Sequence, residues 1–233
     1  MTIEDYFGEW SKVVDLKEAD RIIRKLSASN LTICPSINNI FKAFRLCSFH
    51  NLQCIILSKG PYSDFYEGKP RATGLAFAND ASIPEKNISP SLETLKESVI
   101  DYTKPHGITI FDPSLEKWEK QGVLLLNTAL SCEIGKAEAH NPLWKPFIQS
   151  LLTNLSGYTV GIIYVLMGSY AQSFEPCINK RCNFIIRCRH PSYYAQTDTR
   201  MPSDIWKQIN SILIGQRGYG IEWFEEEKYS DNQ

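Results

Sequence analysis

The sequence predicts an α/β fold, a parallel sheet covered by helices on both faces. Three observations carry that expectation. Short, continuous apolar runs (Cys54-Ile-Ile-Leu57, Gly122–Asn127, Val160–Met167, Asn183–Ile186) read as strands buried on both sides. Segments with apolar residues at helical spacing alternate with them. Polar stretches follow the strands directly, at the end of an open α/β sheet where ligands bind.

The elements follow in order. Leu16, Ala19, Ile22, Ile23 and Leu26 mark a helix over 15–28. A second helix runs from Asn38 to Leu46, through Ile40, Phe41, Phe44 and Arg45. The first strand is Gln53–Leu57, followed by a loop from Ser58 to Thr73. Ser91–Val99 is helical, with a polar start in Ser-Leu-Glu-Thr. Gly122–Asn127 is the second strand and Trp144–Leu155 the next helix. Val160–Met167 is the third strand and ends in Gly168-Ser169. Asn183–Ile186 is the fourth and leads into Arg187-Cys-Arg-His190-Pro. A last amphipathic helix covers 203–214. One domain over 1–233 is expected, with an acidic, polar, flexible tail over 225–233.

Composition sets the limits. The chain has 233 residues, 43% of them hydrophobic and 22% charged, enough for a sizeable core. Lys plus Arg is 25 and Asp plus Glu is 26, a net charge of −1. That excludes a generally basic nucleic-acid binder and leaves room for a local basic face. The 7 cysteines are odd in number and sit mostly inside apolar runs, which reads as reduced thiols in a cytoplasmic protein. Cys177, Cys182, Cys188 and His190 lack the paired C-x2-C ends of a zinc site, so no metal or other cofactor is expected. The N-terminus lacks a signal-peptide pattern, and no apolar run reaches the ~18 residues of a membrane helix.

Function enters through the loops. Lys59-Gly-Pro-Tyr62 follows the first strand, and Gly74-Leu-Ala-Phe77 comes soon after. Asn127-Thr ends the second strand, Gly168-Ser-Tyr-Ala-Gln172 the third and His190-Pro-Ser192 the fourth. Each match alone is weak. The set, in this order, resembles family 1 uracil-DNA glycosylases from about Thr32 to Trp223, with Asn38–Arg45, Pro90–Leu92 and Gly135–His140 adding to the likeness. The resemblance implies a three-layer αβα domain with a central four-stranded parallel sheet. It also implies a monomer with a groove that binds single- or double-stranded DNA and takes one base out of the stack, because the glycosidic bond is inaccessible inside a duplex. A protein inhibitor of such enzymes is a further partner it allows.

Each position has a physical reading under that resemblance. Phe77 stacks on the flipped base. Asn127 offers a donor and an acceptor, as the imide edge of a pyrimidine requires. His190 donates to O2 as negative charge builds on the departing base. Tyr62 walls off the C5 side, and Lys59 lies beside the base. Ser91, Ser169 and Ser192 are small hydroxyl residues where phosphates are pinched. Tyr194 occupies the position of an apolar wedge that fills the vacated stack. Arg189, with Lys180, Arg181, Arg187 and Arg200, supplies local positive charge.

The first loop departs from the family. Its pattern is Gly-Gln-Asp-Pro-Tyr-His, and this chain reads Ser58-Lys59-Gly60-Pro61-Tyr62-Ser63. Gly60 stands in place of the Asp that orients water and balances the cationic sugar. Ser63 replaces His, Lys59 replaces Gln, and Glu138 sits where the family often has His. General-base assistance is worth roughly 10²–10⁴-fold in rate, so ordinary uracil excision is expected to be weakened. Asp64 or Glu67 is a replacement carboxylate within reach in sequence, and a desolvated Lys59 is an amine nucleophile. Two main readings result: a DNA glycosylase with a rebuilt sugar-side site, acting on uracil or a modified pyrimidine, and a protein that reads a flipped base without cutting. A third, a structural partner with a vestigial pocket, leaves the retained reading groups unexplained.

Overall fold

Four five-residue strands form the central sheet: β1 Cys54–Ser58, β2 Val123–Asn127, β3 Ile163–Met167 and β4 Phe184–Cys188. The computed structural model describes residues 3–104 and 109–226. The strand order is β2-β1-β3-β4, and every neighbouring pair is parallel. All residues of β1, β2 and β3 are buried, as their unbroken apolar sequences require. At the edge, β4 alternates between exposed and covered positions.

The flanking helices are α1 Leu16–Ser27, α2 Pro90–Thr103, α3 Asn141–Tyr158, α4 Pro191–Thr197 and α5 Asp204–Arg217. Helix α2 packs on α4 and α5, while α1 meets α3. The result is the three-layer αβα arrangement expected, with the four-stranded parallel sheet between helical layers. Asp15 caps α1 by accepting the Glu18 N–H, which satisfies a donor the helix leaves open. Gly122 immediately precedes β2 with φ +86°; a Cβ there would lie 1.9 Å from the Asn51 carbonyl oxygen, so only glycine fits.

Boundaries differ from the sequence reading where local chemistry overrides periodicity. The expected 38–46 helix is a 3-10 turn, Ile37–Asn39, followed by a short helix, Lys42–Leu46. Helix α3 begins three residues early because Pro142 suits the first turn, where no N–H partner is required. Strand β3 starts at Ile163 rather than Val160, after Gly161 with φ +79°. Strand β4 runs on to Cys188 because Arg187 and Cys188 continue the pairing with Leu166 and Met167. His190-Pro-Ser192 is the start of helix α4 rather than a loop: Pro191 takes the first position, and the His190 ring caps the end. Of the expected tail, Glu225 and Glu226 pair antiparallel with Ile110 and Thr109; 227–233 lie outside the described residues. Among the described residues no helix is long and apolar enough to cross a membrane, and no three His, Cys, Asp or Glu cluster to hold a metal.

Candidate active site

Parallel strands place their carboxyl ends together, so the four post-strand segments meet on one side of the sheet. The segments after β1, β3 and β4, with Ser91 and Ala137, line an open cleft of about 600 Å³. Gly60, Tyr62, Ser91, Ser169, His190 and Ser192 all line it, together with Lys59 and Asp64. The three serines singled out for phosphate contact thus come from three separate elements onto one cleft. Phe77 and Asn127 are buried, each 5% exposed, and are not among the residues that line the cleft.

His190 is the best-defined group. The Ser192 backbone N–H donates to Nδ1 at 3.1 Å, and the Ser192 hydroxyl lies 2.8 Å from the same nitrogen. An amide N–H only donates, so Nδ1 is unprotonated, and the neutral ring carries its proton on Nε2. Burial, reinforced by the positive charge of Lys59, lowers the His190 pKa to about 4. At neutral pH the ring is an uncharged donor. Gly168, with φ +89°, makes room for it: a Cβ at Gly168 would lie 2.9 Å from the His190 Cβ. The Nε2–H points to Ser58 Oγ, 3.1 Å away.

Phe77 and Tyr62 are locked to each other. The Tyr62 hydroxyl donates to the Phe77 carbonyl at 2.9 Å and accepts from Ser89 Oγ at 2.5 Å. Burial pushes the Tyr62 hydroxyl pKa up, so it stays a neutral donor. Phe77 has φ +66°, a left-handed conformation that costs a non-glycine residue roughly 1–2 kcal/mol. Its ring centroid lies 5.4 Å from that of His190 at 45°. Asn127 ends β2 directly opposite Ser58 on β1. Its Oδ1 is buried without a hydrogen-bond partner, an arrangement that leaves an acceptor open for a ligand.

The loop after β1 is different. No carboxylate stands at Gly60, where a Cβ would meet only the Ala137 carbonyl at 3.7 Å and the Ala129 Cβ at 3.9 Å, ordinary contacts. Asp64 lines the cleft, but its carboxylate is held by Arg71 Nε at 2.7 Å. Arg71 is fixed in turn by the Asn87 carbonyl. Glu67 sits exposed, with φ +48°, in the turn between Phe65–Tyr66 and Lys69–Pro70, and does not line the cleft. The Lys59 ammonium pairs with Glu138 at the rim and its side chain is 43% exposed, the opposite of the desolvated amine a nucleophile requires.

The expected wedge is rearranged. Tyr194 is half-buried against the core, because helix α4 turns it inward. Tyr193 is the exposed ring, with the Arg189 guanidinium 4.2 Å over its face. The other basic residues are mostly engaged. Lys180 and Arg187 share Glu175 and hold its pKa at about 2, and Arg200 lies 3.5 Å from Asp101. Cys177, Cys182 and Cys188 are free thiols, and Cys188 is pushed up to about 12 by burial. Ser58, Ser89 and Arg71 are site residues that sequence reasoning missed. Only Ser58 carried a signal, as the departure from Gly at the head of the first loop.

The αβα sheet carries a buried Asn127 at one strand end, and Phe77 lies against a neutral His190 beside it. The family model of the uracil DNA glycosylase superfamily matches residues 44–214. Uracil-DNA glycosylases of Yersinia pestis (strain Pestoides F) and Yersinia pseudotuberculosis (serotype O:1b, strain IP 31758) are each 31% identical over 229 residues, covering 96% of this chain and 95% of theirs. The chain belongs to the uracil-DNA glycosylase superfamily. Solved structures agree in fold. A mimivirus uracil-DNA glycosylase variant in complex with UGI has a TM-score of 0.79 at 19% identity, covering 96% of this chain and 88% of that one. A variant of the Nitratifractor salsuginis enzyme has a TM-score of 0.68 at 19% identity, covering 90% and 95%.

Proposed function

We propose that this protein is a DNA N-glycosylase that flips and reads a pyrimidine, uracil or a modified base, with a weakened sugar-side site. The observation that carries the proposal is the fixed Nε2–H tautomer of His190, uncharged at neutral pH and facing the same strand ends as Phe77 and Asn127. A preorganised neutral donor stabilises the anion that forms as the base departs. Asn127 reads the imide edge, Phe77 stacks and Tyr62 excludes bulk at C5. Ser91, Ser169 and Ser192 bring backbone close to the phosphates, and Arg189 with Tyr193 and Tyr194 lies beside the vacated stack.

A second reading is favoured by one observation. Gly60 provides no carboxylate, and that of Asp64 is bound to Arg71, so the reading groups are complete while the cutting group is not. The protein would then bind a flipped base as a sensor, a replication accessory or a decoy for an inhibitor such as the one bound to the mimivirus relative.

Purified protein incubated with single-stranded and duplex oligonucleotides carrying uracil, 5-hydroxymethyluracil or 5-hydroxymethylcytosine separates the two. Released base and bound DNA are measured together. Slow release from one substrate is the expected result. Tight binding of a modified duplex with no release establishes the reader, and no release with equal binding of unmodified DNA removes both.

A further inference from the structure

Ser58 ends β1 with 2% of its surface exposed, in register with Asn127. The direction of its bond to His190 follows from the opposite side of the ring. Nδ1 accepts from the Ser192 N–H, so Nε2 is the donor and Ser58 Oγ the acceptor. A hydroxyl that accepts still carries its own proton, and among the described residues no acceptor takes it. The neighbouring Asn127 Oδ1 is also buried and unpartnered. Two open polar functions of opposite sense, a donor and an acceptor, thus stand side by side at the ends of adjacent strands.

We propose that Ser58 is a base-contacting residue whose O–H, at the end of the Ser192–His190–Ser58 chain, donates to a carbonyl of the flipped base beside Asn127. This rests on the base-reading function above. Hydrogen bonds in series polarise one another, so His190 strengthens the Ser58 donor it feeds. As the base departs, its negative charge is spread over Ser58 and, through it, His190, with no proton transferred. The family pattern has Gly at this point, so the hydroxyl is a departure carried by the same loop that lacks the sugar-side carboxylate.

Ser58→Ala and Ser58→Gly both remove the proton and leave the His190 Nε2–H unoccupied. Free uracil is titrated calorimetrically into the full chain and both variants, and the His190 ring nitrogens are followed by ¹⁵N NMR. Thermal melts confirm that each variant is folded. About fivefold weaker uracil binding is expected in both variants, the usual size for one hydrogen bond, with the Nε2–H tautomer unchanged because Ser192 sets it. Equal or tighter binding in a folded variant overturns the proposal and leaves Ser58 as a mere occupant of the His190 donor. A proton on Nδ1 in the wild type overturns it independently, by reversing the chain. Wild-type protein with the expected tautomer that binds no uracil removes the base-reading function itself, and this inference with it.

Discussion

At the scale of single residues, the site is built from groups left in states that ordinary folding disfavours. His190 is held neutral well below its usual pKa by burial and by the charge of Lys59. The unfolded chain therefore takes up a proton near pH 6.5 that the folded chain refuses until about pH 4. Stability from this group is complete above about pH 6.5 and declines as pH falls toward 4. Uracil binding is expected to be flat between pH 6 and 8 and to drop near pH 4, as the ring becomes a cation and repels Lys59. Calorimetric titration across that range checks it; a midpoint near 6.5 would mean the ring is solvated. Asn127 makes the complementary case. An unpartnered buried acceptor costs roughly 1–3 kcal/mol. Asn127→Ala should therefore lower base affinity more than tenfold while leaving the melting temperature unchanged or higher. A large loss of stability would show that Asn127 serves the fold.

At the scale of elements, the sequence was most informative where burial is uniform and least where a single contact decides. The strands β1 and β2 were legible because unbroken apolar runs have no alternative on a two-sided sheet. The motif residues were legible because their order along the chain maps onto strand ends. Helix α4 was not, since its start depends on a ring nitrogen of His190 accepting the Ser192 N–H, a contact absent from any periodicity. The inward turn of Tyr194 follows from that helix and was hidden for the same reason. Arg71 capturing Asp64, and Ser89 capturing Tyr62, join residues 7 and 27 apart through loops whose path no local pattern specifies. Glu119 shows an element-level conflict of another kind. It is fully buried on the short helix Glu116–Lys120, where one carboxylate oxygen accepts the Leu125 N–H of β2 and the Cys47 thiol lies beside the carboxyl. Burial raises its pKa well above the usual carboxylate value. The folded state then binds more protons than the unfolded one above pH 4, so its contribution is favourable in acid and is lost as pH rises. Glu119→Gln keeps the acceptor and removes the ionisation. A gain of about 1 kcal/mol, some 2–4 °C in melting temperature, is expected at pH 8, with a smaller gain at pH 5. An equal gain at both values would point to packing instead.

At the scale of the whole molecule, the proposed function sets two half-sites of unequal strength on one sheet. The proposed base side is rigid: β1, β2 and β3 are buried throughout, β1 and β2 end in Ser58 and Asn127, and Gly168, which seats His190, follows β3 directly. The proposed sugar side rests on the loop after β1, where the ion pairs Lys59–Glu138 and Asp64–Arg71 now hold the charges. If the base side is intact and only the carboxylate is missing, restoring it at position 60 should restore cutting. The backbone permits this, because a Cβ on Gly60 makes only ordinary contacts. Gly60→Asp is expected to raise uracil release by 10²-fold or more, within the span that general-base assistance provides, with little change in DNA binding. Asp64→Asn is the control. It should abolish any residual wild-type release if Asp64 leaves Arg71 to serve the sugar, yet leave the Gly60→Asp enzyme active. Single-turnover release from a uracil oligonucleotide, measured for both variants and the double variant, separates the cases. No gain from Gly60→Asp in a folded protein would mean that the loop after β1 has moved away from the line between base and sugar. The missing carboxylate would then be one part of a wider loss rather than its cause.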